Sequence, residues 1–236
     1  MKNFTYLKNN YCDILSEIKA LEEKYQRHIT LVCVTKSGSD EELIELVKLG
    51  ASNIGENRPQ ELARRKALLN NEGYFPAMHQ IGHLQRNKVK QVASIASVVH
   101  SLDTVALAEE LCKEAERIGS KIHVLIEINS GKEESKGGVD PDLAEEFFLK
   151  VRDMDGLEIR GIMTMGPALE SSEDMRPYFR LTKEIFDKLN TRYGFDGEPI
   201  LSMGMSNSYR VAIEEGANLV RVGRRLFEKD KEKRNV

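Results

Sequence analysis

Ile29-Thr30-Leu31-Val32-Cys33-Val34-Thr35-Lys36-Ser37-Gly38-Ser39 is the stretch that decides how the chain reads. Its first seven residues are apolar or β-branched and short enough for one buried strand, predicted over Leu31 to Thr35. Lys36-Ser37-Gly38 then breaks the run. Ser39, with Glu42 three residues later, has capping-box spacing and opens a helix. One strand, one short loop and one helix start thus fit within about a dozen residues.

The same unit recurs in both directions along the chain. A helix is predicted ahead of it, from about Cys12 to Gln26. After it, Ala51 to Ile54 reads as a second strand, followed by a helix with Pro59 in its first turn, where the missing amide proton does no harm. Strands are predicted at Ala77 to Ile81 and Ser97 to Leu102, with helices at Leu84 to Val92 and Asp103 to Ile118. Ala108, Leu111, Cys112 and Ala115 share one face of the latter. The clearest strand is Ile122-His123-Val124-Leu125-Ile126-Glu127-Ile128. Beyond a polar loop, Asp140-Pro141 reads as a cap and first helical position, with Leu143, Phe147 and Val151 on one face. Ile159 to Met163 is the sixth strand, and its helix runs from about Asp174 to Asn190 with Phe179, Ile185, Phe186 and Leu189 as apolar positions. Ile200 to Met203 and Leu219 to Val222 complete the set, separated by a helix at Ser208 to Glu215.

Strands alternating with helices imply a parallel sheet. Eight such units in 236 residues favour closure into a (β/α)8 TIM barrel, which typically takes about 250 residues. The expected organisation is one α/β domain over 1–236: an extra N-terminal helix at about 12–26, a barrel at about 29–228, and a charged, solvated tail from Glu228 to Arg234.

Composition removes several function classes. A net charge of −3 argues against general nucleic-acid binding. The first residues carry no apolar signal core, and no apolar run approaches the ~18 residues of a membrane span. Cys12, Cys33 and Cys112 are far apart and show no metal spacing, which suits a reducing, cytoplasmic setting. GxSxG, HExxH and Walker patterns are missing.

In a barrel of this kind chemistry belongs to the loops after the strands. Lys36, Asn57, His83, Asn129, Met165, Ser206 and Gly223 all fall there. Taken alone, Lys36 reads as a surface lysine at a loop start. Its strand-end position raises a second reading, a reactive amine whose charge is suppressed by burial or a neighbouring cation. Ser202-Met203-Gly204-Met205-Ser206-Asn207 and Arg221-Val222-Gly223-Arg224 follow strands seven and eight, the recurrent phosphate site of this fold. There Ser206 is either a phosphate ligand or only a helix cap, and Gly223 either a cradle or only a turn. His83 reads as a capping or hydrogen-bonding residue rather than an acid or base. His79 and His123 read as strand residues, and Met165 as core or as a ring contact at the mouth.

Together these segments resemble the pyridoxal phosphate (PLP) homeostasis proteins, single-domain relatives of the alanine racemase N-terminal barrel and of fold-type III PLP enzymes. Val34-Thr35-Lys36, Ile54-Gly55-Glu56-Asn57-Arg58-Pro59-Gln60-Glu61 and His79-Gln80-Ile81-Gly82-His83-Leu84-Gln85-Arg86-Asn87-Lys88 carry the resemblance in the first half. Glu134-Ser135-Lys136-Gly137-Gly138, Gly161-Ile162-Met163-Thr164-Met165, Ser202-Met203-Gly204-Met205-Ser206 and Arg221-Val222-Gly223 carry it in the second. The resemblance implies a Schiff base between Lys36 and pyridoxal 5'-phosphate. It implies phosphate contacts from Ser206, Gly223 and Arg224, Arg221 facing the pyridine nitrogen, and Asn57 and Met165 near the ring. Met78, Ser208, Arg224, Arg225 and Glu228 depart from the family pattern, which bears on the phosphate contacts after strand eight.

The expectation is a monomeric PLP carrier acting in vitamin B6 homeostasis, with PLP-dependent apo-enzymes as recipients, no nucleic-acid or membrane partner and no robust turnover. Arginine cannot accept the pyridine proton and stays charged, which makes a weaker electron sink than an acid at that place. A single barrel also leaves no second domain to close the site. The alternatives are a fold-type III racemase or decarboxylase of weak activity and, with no covalent attachment of PLP, a phosphate-sugar isomerase-type barrel.

Overall fold

The computed structural model describes residues 4–133 and 136–229. The N-terminal helix α1 spans Thr5–Tyr25, and the strands are β1 Thr30–Val34, β2 Asn53–Glu56, β3 Ala77–Gln80, β4 Val98–Leu102, β5 Ile122–Glu127, β6 Leu157–Met163, β7 Ile200–Ser202 and β8 Leu219–Val222. The helices between them are α2 Asp40–Lys48, α3 Pro59–Asn71, α4 Val89–Val92, α5 Val105–Ile118, α6 Ala144–Val151, α7 Arg176–Tyr193 and α8 Tyr209–Glu214. All strands pair in parallel in chain order, and β8 pairs back onto β1 through Leu31↔Val220 and Val32↔Arg221, closing the barrel.

The decisive stretch folds as it reads. Ser39 Oγ accepts the Glu42 N–H at 3.2 Å while Glu42 accepts the Ser39 N–H at 2.6 Å, so the capping box satisfies two donors at the start of α2. Pro59 stands at the start of α3.

Several boundaries differ from the sequence expectation. α1 begins at Thr5 rather than near residue 12. Leu7, Tyr11, Ile14 and Ile18 recur on one helical face and are buried, but Lys8-Asn9-Asn10 dilutes the pattern at its start. Asn10 is itself buried, and its amide donates to the Leu226 and Glu228 carbonyls at 3.1 and 2.8 Å. The base of the charged tail is therefore tied to α1, and the tail beyond 229 lies outside the described residues.

Between β3 and β4 the expected long helix is a 3-10 turn, Arg86–Lys88, followed by a single turn of α4. β2 runs two residues later than expected, over Asn53–Glu56, which delivers Asn57 at its exit. Leu143, expected on a buried face, is exposed in the 3-10 turn ahead of α6, whereas Phe147 and Val151 are buried. Cys112 is only half-buried on α5.

Gly161 shows why β6 needs a glycine. Its φ is +145°, and a Cβ there would collide with the Ile200 backbone of β7, with the amide nitrogen 2.9 Å away.

Candidate functional site

The strand ends at the carboxyl mouth enclose a cavity of about 300 Å3. Lys36, Asn57, Met165, Ser206, Arg221, Gly223 and Arg224 all line it. Among the strand-end residues singled out by position, His83 and Asn129 do not. His83 is exposed, with Nδ1 3.9 Å from Asp103 Oδ2. The Asn129 side chain instead closes its own loop, donating to the Glu133 carbonyl at 2.9 Å. Glu134 and Ser135 of that loop lie outside the described residues.

The loop that carries Lys36 is fastened from beneath. Thr35 is buried and donates its hydroxyl to Glu56 Oε1 at 2.5 Å. Arg65, from α3, brings its Nε within 3.0 Å of the same oxygen and donates through Nη2 to the Gly38 carbonyl at 2.7 Å. The Nε contact is coulombic rather than an aligned hydrogen bond. Burial is the largest influence on Glu56 and lifts its carboxyl above the ordinary range, against the lowering pull of Thr35 and Arg65. Lys36 projects above this pair as an exposed side chain, so the burial expected around a reactive amine is not found; among the described residues it makes no ion pair or hydrogen bond.

Beside β1 in the barrel, after β7 and β8, Ser206 Oγ accepts the Gly223 N–H at 3.2 Å and the Arg225 N–H at 3.4 Å. Its hydroxyl thereby joins the loops after β7 and β8. Ser206 is not the cap of α8, because Ser208 occupies that position without a side-chain cap. A Cβ on Gly223 would lie 3.0 Å from the Val34 carbonyl oxygen, so the loop passes close to the end of β1.

Arg224 and Arg225, two departures from the family pattern, have different fates. Arg224 is exposed at the cavity mouth. Arg225 turns outward, and its guanidinium binds Glu17 of α1 at 2.6 Å and the Tyr209 hydroxyl. Against the raising effect of its burial, Arg225, Tyr209 and Arg210 hold Glu17 down at about 2. Met78 is a fully buried core residue.

Arg221 is buried at the floor of the cavity. It donates through Nη1 to Ser202 Oγ and through Nη2 to the Thr164 carbonyl at 2.9 Å. Burial lowers it to about 10, with Glu127 acting in the other direction.

Sequence reasoning missed the wall formed after β6, where Pro167, Leu169, Glu170, Ser171 and Ser172 complete the cavity. This segment has no periodicity, and only its position after a strand could have indicated it. It also missed Arg65, whose helical position gives no sign of its reach to Gly38.

The donor set is chemically specific. It combines a primary amine, a hydroxyl bridging two glycine-bearing loops, a surface guanidinium and a buried guanidinium. That set fits the chemistry of a phosphorylated aromatic aldehyde. Among the described residues no three His, Cys, Asp or Glu side chains cluster as a metal site. No helix among them is long and apolar enough to cross a membrane.

Comparison with known proteins identifies the family and the fold. The family model "Alanine racemase, N-terminal domain" matches residues 12–229. The pyridoxal phosphate homeostasis protein of Aquifex aeolicus is 39% identical, with 92% of this chain and 97% of that one covered. Its counterpart in Schizosaccharomyces pombe is 33% identical, with 85% and 84% covered. Among solved structures, PipY of Synechococcus elongatus with PLP bound superposes with a TM-score of 0.82 at 26% identity, covering 94% of this chain and 100% of that one. Clostridium difficile alanine racemase, at 18% identity and a TM-score of 0.75, shares the barrel over 97% of this chain and 61% of its own. The chain belongs to the pyridoxal phosphate homeostasis protein family, built on the barrel of the alanine racemase N-terminal domain.

Proposed function

We propose that this protein binds pyridoxal 5'-phosphate through Lys36 and serves as a reversible holder of the cofactor in vitamin B6 homeostasis. The observation that carries this reading is the convergence of Lys36, Ser206 and Arg221, from β1, β7 and β8, on one cavity. In this reading Ser206 and the loop at Gly223–Arg224 receive the phosphate. Arg221 faces the ring nitrogen, and Asn57 and Met165 flank the ring. When bound, the cofactor supplies an aldehyde to the amine and an electron-withdrawing ring. The names of the curated relatives point to homeostasis rather than to an enzyme activity.

The lining residues also favour holding over turnover. Racemisation needs a proton removed on one face and returned on the other, by groups of suitable acidity. Among the described residues the cavity is lined by no His, Tyr, Cys or Asp, so beside Lys36 the one further candidate acid or base is Glu170 on the loop after β6. Arg221 at the ring nitrogen stays charged and takes up no proton, which weakens the ring as an electron sink. Recipients of the cofactor would be PLP-dependent apo-enzymes, and the carrier would act as a monomer.

The test is exchange of the α-proton of amino acids for deuterium by the PLP-loaded protein. Exchange at the level of free PLP is expected. Robust exchange that disappears in Lys36→Ala would overturn the holder in favour of a racemase-like enzyme.

A further inference from the structure

The interior of this barrel holds a row of polar side chains where such barrels usually stack branched aliphatic residues. His79 on β3, His100 on β4, Ser202 on β7 and Arg221 on β8 are each at most 4% exposed. They touch in sequence. Arg221 Nη1 binds Ser202 Oγ, Ser202 Oγ lies 3.1 Å from His100 Nδ1, and His100 Nε2 lies 3.0 Å from His79 Nδ1. His79 Nε2 lies 3.1 Å from Asn53 Oδ1. Asn53 and His79 line a cavity of about 530 Å3 at the opposite mouth, so the row spans the barrel from one end to the other.

The two ends fix the direction of every bond. Arg221 has donors only, so Ser202 Oγ accepts from it. At the far end Asn53 presents Oδ1 to His79, the orientation consistent with the Ser202 hydroxyl proton finding its acceptor at His100 Nδ1. His79 therefore donates through Nε2. A neutral His79 must then accept at Nδ1, which requires His100 to donate through Nε2. His100 in turn accepts at Nδ1 from the Ser202 hydroxyl. Every donor points from Arg221 toward Asn53, and each group meets its need once.

The competing arrangement puts a proton on one imidazole and reverses the bonds beyond it. That places a second positive charge in a dry interior beside Arg221. Burial already lowers His79 to about 4, and burial, His79 and Arg221 together hold His100 well below the ordinary histidine range. The charge nearest to opposing Arg221 is Glu127 on β5, which Asp103 influences in turn.

We propose that Ser202, His100 and His79 are positioning residues that lock the Arg221 guanidinium through a single-direction chain of neutral, Nε2-protonated histidines. The chain cannot pass a proton to the upper site, because it ends on a donor that keeps its own. Its effect is to fix where the buried cation points and to keep a second cation out. The role rests on the reading that the upper cavity takes PLP with Arg221 toward its ring nitrogen.

Two measurements test it separately. Nitrogen-15 NMR of the histidine rings in the cofactor-free protein is expected to show two rings in the neutral Nε2–H form that do not titrate between pH 8 and pH 5. A protonated ring or an Nδ1–H form at either position overturns the chain, whatever the cavity binds. In the PLP-loaded protein, His100→Phe removes the chain while filling the space, and His100→Gln keeps a donor and an acceptor. The Phe variant is expected to shift the absorbance maximum of bound PLP and to weaken binding about tenfold, a loss of ~1.4 kcal/mol, with Gln restoring both. A folded Phe variant with unchanged spectrum and affinity overturns the positioning role. Failure of the wild type to bind PLP would instead sink the functional reading and leave the NMR result standing.

Discussion

The hydroxyl of Ser206 accepts the backbone N–H of Gly223 at 3.2 Å, so one side chain holds the loops after β7 and β8 together at the cavity wall. Ser206→Ala removes this tie and one candidate phosphate ligand. PLP affinity is expected to fall by roughly one to two powers of ten, in line with losing a hydrogen bond to a charged group. Thermal unfolding should move little, because Ser206 is only half-buried. An absorbance titration of the variant against wild type checks both.

Arg65 should matter to the fold more than its place on a helix suggests. It is 4% exposed, faces the 1% exposed Glu56, and holds the Gly38 carbonyl. Arg65→Ala leaves Glu56 buried without its cation and is expected to cost about 3–5 kcal/mol. Replacing both residues by leucine should cost less than Arg65→Ala alone. Denaturant unfolding of the two variants against wild type decides this.

Glu127 is expected to give the stability a pH dependence. Burial first, then the Asp103 charge, raises its carboxyl from 4.5 to about 7, against the pull of Arg221. The folded state therefore keeps the proton that the unfolded state releases. The stabilisation is full below about pH 4.5 and is lost as pH rises through 7. Glu127→Gln stays neutral throughout. Its stability relative to wild type is expected to rise by up to about 3 kcal/mol across that interval. Paired unfolding curves at pH 5 and pH 8 measure the difference.

Gly82 presses against the chain that presents Asn57. A Cβ there would run into the Asn57 carbonyl oxygen and lie 2.9 Å from its Cα. Gly82→Ala should destabilise the protein by about 1–3 kcal/mol and weaken PLP binding by displacing Asn57. Unchanged affinity in a destabilised variant would remove Asn57 from the ring contacts.

What could be read from the sequence follows from the range of each signal. The capping box at Ser39–Glu42, Pro59 opening α3 and the run Ile122 to Glu127 are local, and the structure has them where the sequence predicts them. Eight alternations gave the barrel, and the barrel gave the strand ends that bring Lys36, Ser206 and Arg221 to one cavity. Signals that depend on distant partners were not legible. Arg225 looked like a disturbance of the phosphate loop until Glu17, 208 residues earlier, appeared as its partner. His79 was correctly placed in a strand, but its bond to His100 depends on the register of β3 against β4. The start of α1 was obscured because polar residues interrupt a face whose buried positions show only in the packed helix.

The most direct measurement is the site of attachment. The protein is incubated with PLP, reduced with borohydride and digested, and the pyridoxyl-bearing peptide is identified by mass spectrometry. One major label is expected, on Lys36, with its loss in Lys36→Ala without loss of fold. A label spread over surface lysines, or an equal yield on another lysine in the wild type, would contradict attachment there.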